Sequence, residues 1–202
     1  MSAAAEAISA LRTELADYGR RAFHRGLTSG VGGNMSARLP GGDAVLITPT
    51  GVSLAELAPE DGLLVDLDGS VLENPMGWRP SMETGFHLAC YKARSDVGAV
   101  VHLHPPYATA WSNRGLPLPL ATVSARHLLG EVPCIECAMP GSQELCDFVT
   151  EGVRRYPGVK ALLMKEHGIL ALAQDLKAAY YTADIVEDTA KVAFITANIR
   201  EG

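Results

Sequence analysis

Two histidines one residue apart close an apolar run, Gly98-Ala-Val-Val-His102-Leu-His104-Pro-Pro, which reads as a buried strand halted at Pro105-Pro106. In a strand alternate side chains share a face, so His102 and His104 aim at one point while Val101 and Leu103 pack on the opposite side. A third histidine stands in Lys165-Glu-His167-Gly168, and an acid, Glu83, opens an amphipathic helix upstream. Three imidazoles and one carboxylate make a transition-metal donor set; a hydrogen-bonded core histidine is the ordinary alternative for any one of the rings taken alone. At about 2.0 to 2.2 Å these donors suit a divalent ion, zinc first, with manganese, iron or cobalt also accepted.

The body carrying these groups has 202 residues, 48% of them hydrophobic. That is enough for one sizeable core, and no Ser/Pro-rich linker or charge block divides the chain, so a single domain over 1–202 is expected. The N-terminus lacks a basic stretch followed by an apolar run, and no apolar segment approaches the ~20 residues of a membrane span. A soluble, cytoplasmic protein with no membrane partner is expected. The net charge of -6 argues against a nucleic-acid surface, since phosphate binding draws on clustered Lys and Arg that this chain does not show. Cys134 and Cys137 form one Cys-x-x-Cys without a second pair, in a segment that reads as a strand. Residues three apart on a strand face opposite ways, so buried free thiols are expected rather than a redox or zinc pair.

Helices and strands alternate along the chain. Ile8, Leu11, Leu15, Tyr18, Ala22 and Phe23 recur at helical spacing before Gly26. Residues 44–48 predict a strand, and 63–67 with 70–73 a hairpin around Asp68-Gly69. Pro80-Ser81 caps a helix to about Ala93, with His87 one turn after Glu83, either beside the site or on the surface. Further helices are expected at 105–113, 143–156 and 176–198, a strand at 130–136, and a strand pair around His167-Gly168. No Gly-x-Gly-x-x-Gly joins a strand to a helix, which sets aside a dinucleotide fold and leaves a mixed α/β layer protein.

The loop Gly30-Val-Gly-Gly33-Asn34-Met-Ser36 can turn successive N–H groups inward as an anion nest, with Asn34 adding a donor. A plain helix-to-strand connection accounts for it equally well. Thr48-Pro-Thr50-Gly51 offers donors in the same style, and together the loops outline a small oxyanion pocket.

The succession Gly-Gly-Asn34-x-Ser, Ile-Thr-Pro-Thr50-Gly51, Pro-Ser81-x-Glu83, Val-His102-x-His104 and Glu-His167-Gly, from about Arg20 to Ile199, resembles the class II aldolase/adducin family. The resemblance implies a three-layer α/β/α sandwich on a mostly antiparallel sheet. It implies zinc held by His102, His104 and His167, with Glu83 as fourth ligand and proton-transfer base. It also implies a homotetramer with sites between subunits and a small-molecule substrate touched by Gly33, Asn34, Thr50, Gly51 and Ser81. The chemistry expected is retro-aldol cleavage of a ketose phosphate or related hydroxy-carbonyl compound through a zinc-stabilised enediolate.

A decarboxylase, dehydratase or 4-epimerase could use the same site, and a non-catalytic adducin-like module is the alternative outside the enzymes. The related epimerases typically carry Asp where this chain has Glu83, and such modules have lost the ligands. Val31 and Met82 stand where the aldolase branch has polar phosphate contacts, which admits a non-phosphorylated or carboxylate substrate. The leaving-group tyrosine of that branch aligns near Thr122, and Arg126 or His127 is a candidate replacement contact.

Overall fold

The computed structural model describes residues 3–199, so both ends of the expected 1–202 domain lie outside it. In chain order the elements are α1 (Ala3–His24), β1 (Asn34–Arg38), β2 (Ala44–Ile47), a short 3-10 turn (Pro59–Asp61), β3 (Leu63–Asp66), β4 (Val71–Glu73) and α2 (Thr84–Ala93). They continue with β5 (Ala99–Leu103), α3 (Pro106–Ser112), α4 (Val123–Leu129), β6 (Cys134–Ile135), α5 (Gln143–Arg155), β7 (Ala161–Met164), β8 (Gly168–Ala173) and α6 (Leu176–Asn198). The strands form one eight-stranded sheet in the order β4-β3-β2-β1-β5-β8-β7-β6. Every neighbouring pair is antiparallel except β6 with β7.

Strand alternation sorts the apolar residues into two cores. Leu46, Val101, Leu103 and Ile169 face one side, where α1, α3, α4 and α6 pack; Val45, Ile47, Val100 and Leu170 face the other, beneath α2 and α5. Each such aliphatic side chain contributes about 1.5–3 kcal/mol on burial. This is the α/β/α sandwich on a mostly antiparallel sheet. Helix starts follow local chemistry: Thr122, Ser142 and Asp175 each accept a backbone N–H three residues on, at the heads of α4, α5 and α6. Gly26, at φ 76, stops α1 in the left-handed region.

Several local expectations shift. The glycine loop ends at Gly33, and Asn34 begins a strand in mid-sheet, between β2 and β5. The sequence hides this strand because Met35 and Ala37 enter one core while polar Asn34 and Ser36 are buried on the other. The 130–136 strand shrinks to Cys134–Ile135, and Thr122 instead caps a helix, α4. Ser81 does not cap α2; the helix starts at Thr84 with Glu83 at its N-cap, while Ser81 closes the preceding turn by accepting the Glu83 N–H on its hydroxyl. Cys134 and Cys137 are free but half-buried, since the two-residue β6 ends before Cys137.

Candidate metal centre

The centre forms where β5 ends between β1 and β8. His102, fully buried on β5, donates from Nδ1 to the Ile169 carbonyl at 2.9 Å, which turns the bare Nε2 inward. Phe86 packs edge-on against its ring with centroids 5.4 Å apart. His104 follows one step beyond the strand, its Nε2 2.9 Å from His102 Nε2. His167 comes from the turn between β7 and β8, with Nδ1 on Cys137 Sγ at 3.3 Å and Nε2 facing Glu83 Oε1 at 3.3 Å. The second carboxylate oxygen, Oε2, lies 3.3 Å from His102 Nε2 and accepts the Asn34 amide N–H at 2.7 Å.

Close backbone approach makes this convergence possible. A Cβ on Gly168 would sit 2.4 Å from the Leu103 carbonyl oxygen and 2.7 Å from His104 Cδ2, so only glycine lets β8 start against the end of β5. Gly32 plays the same part from the glycine loop, where a Cβ would meet His104 Nδ1 at 2.8 Å. Just before His167, Glu166 takes φ 57, a left-handed conformation that costs a non-glycine residue about 1–2 kcal/mol.

These residues fit a divalent cation. A tetrahedral site with bonds of about 2.0–2.1 Å keeps its donors about 3.3 Å apart. One ligand atom from each of His102, His104 and His167 lies within 4.8 Å of the others. Glu83 Oε1 is buried without a hydrogen-bond partner among the described residues. An orphaned carboxylate oxygen among convergent imidazole nitrogens is the arrangement that a cation completes.

Burial also sets the protonation of these groups. Desolvation takes His102 well below the usual imidazole range, lowers His104, and with the neighbouring His104 brings His167 to about 4. Neutral imidazole is the ligand form. Glu83 moves upward, because burial outweighs the Asn34 hydrogen bond. A consequence follows for metal-free protein. Unfolded imidazoles take protons near pH 6.5, whereas His167 in the fold resists until about 4 and the fully buried His87 until about 3. Their contribution is therefore complete above pH 6.5 and disappears as pH falls through that window. Glu83 acts with the opposite sign, as one carboxyl against several rings. In chelator, the melting temperature is expected to drop steadily from pH 6.5 to 4; a flat profile would show that the folded rings accept protons freely.

The expected substrate contacts are linked to the centre in pairs. Gly33, at φ 78, lies against the His102 carbonyl, and the loop holding Thr50 and Gly51 is bridged to Ser81 through the Pro49–Pro80 pairing. Some of their donors are already engaged. The Thr50 N–H goes to the Arg79 carbonyl, the Ser81 N–H to the Thr48 carbonyl, and the Asn34 side chain to Glu83 and His87. Val31 and Met82 are exposed. A cavity of about 640 Å³ opens beside His167, lined also by Cys137, Met139 and Lys165. Arg126 and His127 lie exposed on α4, with the Arg126 guanidinium donating to the Leu120 carbonyl.

Sequence reasoning passes over one neighbour of the centre and leaves a second open. Cys137 was set aside with its Cys-x-x-Cys, yet it touches His167. His87, left open between site and surface, is fully buried.

Residues 13–194 match the family described as the class II aldolase and adducin N-terminal domain. The chain belongs to the class II aldolase and adducin family. Within it, the chain is 34% identical over 192 residues to a 5-deoxy-D-ribulose 1-phosphate aldolase of Bacillus thuringiensis serovar kurstaki, covering 94% of this chain and 87% of that one. It is also 34% identical, over 183 residues, to an L-ribulose-5-phosphate 4-epimerase of Salmonella paratyphi C, covering 86% and 79%. A solved L-fuculose 1-phosphate aldolase superposes with a TM-score of 0.85 at 32% identity, over 95% of this chain and 88% of that one. Aldolases and an epimerase thus share the framework of this class II aldolase relative, and the histidines and Glu83 described above all fall within the matched residues.

Proposed function

We propose that this chain is a metal-dependent carbon–carbon lyase that splits a ketose phosphate, or a related hydroxy-carbonyl compound, by a retro-aldol reaction. The observation that carries the reading is Glu83 Oε1, a buried oxygen without a hydrogen-bond partner among the described residues, 3.3 Å from Nε2 of His167, whose ring clusters with those of His102 and His104. In this reading His102, His104, His167 and Glu83 hold one divalent ion, zinc first, with manganese, iron or cobalt as alternatives. Such an ion supplies Lewis-acid stabilisation of the negative charge that develops on substrate oxygen.

The chain's own residues do the rest. Glu83, as a carboxylate, takes the proton of the hydroxyl on the carbon that leaves as the aldehyde and returns it to the carbon that keeps the electron pair when the bond breaks. Gly33, Asn34, Thr50, Gly51 and Ser81 line the substrate's anionic end. With several of their donors engaged internally, the Thr50 and Ser81 hydroxyls carry most of that contact, and Val31 and Met82 add no polar group to it, which admits a carboxylate beside a phosphate. Exposed Met139, on the cavity beside His167, and exposed Met82, against Gly141, support a homotetramer with sites at subunit interfaces. The whole of 1–202 is read as one such domain, working in the cytoplasm; among the described residues no helix is long and apolar enough to cross a membrane.

The test is product analysis of zinc-loaded protein on ketose 1-phosphates, ketose 5-phosphates and hydroxy keto acids. An aldehyde plus a two- or three-carbon fragment is expected. Inversion at C4 without cleavage would make the chain a 4-epimerase, the reading favoured by its epimerase relative, and release of carbon dioxide would make it a decarboxylase.

A further inference from the structure

Polar side chains fill the face of β1 that looks toward α2, and they do so in step with the helix. Asn34, Ser36 and Arg38 recur every second residue along the strand, about 6.7 Å apart. Glu83, His87 and Tyr91 recur every fourth residue from the helix start, about 6 Å apart. The two ladders mesh. Glu83 Oε2 lies 2.7 Å from Asn34 Nδ2, Asn34 Oδ1 lies 2.6 Å from His87 Nε2, His87 Nδ1 lies 2.7 Å from Ser36 Oγ, and Ser36 Oγ lies 2.8 Å from the Tyr91 hydroxyl. Ser36 and His87 are fully buried, with Asn34 and Tyr91 nearly so.

One proton order satisfies this chain. An ionised carboxylate only accepts, so Asn34 gives it an N–H and turns its carbonyl toward His87. His87 must then donate from Nε2. Burial holds its ring neutral, leaving Nδ1 to accept the Ser36 O–H, and Ser36 in turn accepts from Tyr91. Every donor points toward the carboxylate.

We propose that His87 is a positioning residue: by fixing the Asn34 amide it pins Glu83 Oε2 beside His102, so that the unpartnered Oε1 stays turned toward His167 and the cation site. This rests on the reading of Glu83 as ligand and proton carrier. Without the His87 donor the buried Asn34 carbonyl loses its partner, the amide is free to turn away from the carboxylate, and Glu83 Oε2 loses its anchor. A cluster that merely satisfies itself would leave the cation site indifferent to its polarity.

Zinc affinity, measured by chelator competition, separates the two. His87→Leu is expected to weaken zinc binding about 10- to 100-fold. His87→Gln, whose amide N–H reaches toward the Nε2 position, is expected to recover most of that loss. Unchanged affinity in His87→Leu, or a glutamine variant no better than leucine, overturns the proposal. Because the leucine variant risks misfolding, nitrogen NMR of metal-free wild type supplies a second measurement. A His87 ring protonated on Nε2 is expected, and protonation on Nδ1 instead overturns the relay. Wild-type protein that takes up no zinc overturns the metal-lyase reading and this premise with it. Zinc-binding wild type with an indifferent leucine variant overturns the relay alone.

Discussion

Alanine at both His102 and His104 is expected to strip the protein of bound divalent ion and to lower turnover by at least about a thousandfold. Both rings leave the end of β5, and together with His167 they supply every imidazole of the centre. A single remaining ring beside Glu83 has too few donors to hold the ion against water. The double variant should still fold, because Val101 and Leu103 on the opposite face, buried in the core beneath α1 and α6, are untouched. It should be less stable, since losing the buried His102 ring against Phe86 leaves a cavity costing about 2–4 kcal/mol. Elemental analysis of purified variant and wild type checks the first claim, and circular dichroism checks the fold. A variant that keeps one ion per chain would remove these histidines from the site.

Glu83→Gln is expected to cost about 10²- to 10⁴-fold in turnover while leaving the fold and the three histidines in place. Glutamine keeps an oxygen to accept the Asn34 N–H, so the geometry survives while the proton-carrying group and its negative charge beside the histidines are lost. The same change should not lower the melting temperature of metal-free protein near neutral pH. Burial raises the Glu83 pKa, so the folded state binds that proton more tightly than the unfolded state, and stability falls as pH rises from about 4.5 through the folded value. Removing the carboxyl removes that loss. Turnover within tenfold of wild type would take proton transfer away from Glu83.

Much of the architecture is legible along the chain because it is local. The α6 bounds follow from an Asp175 cap and helical spacing, and the β3–β4 hairpin follows from Asp68-Gly69 between two apolar runs. Strand β1 is not legible. Its alternation of Asn34, Met35, Ser36 and Ala37 looks like half-exposed loop until α2 is known to cover its polar face. Helix α4 was obscured because Val123, Arg126, His127 and Leu128 are exposed, leaving Ala125 and Leu129 as its buried contacts. His87 was ambiguous for the same reason: its partners, Asn34 and Ser36, lie about fifty residues away.

From the sequence alone came what neighbouring residues dictate to one another: the shared face of His102 and His104, the hairpin turn at Asp68-Gly69, and the position of Glu83 at the head of a helix. The meeting of these groups belongs to the tertiary structure. It depends on β8 pairing with β5 and on β1 pairing with β5 from the other side, contacts between segments more than sixty residues apart. Strand order is set by the packing of whole sheet faces against helices, a balance summed over both cores, which no local pattern of residues carries.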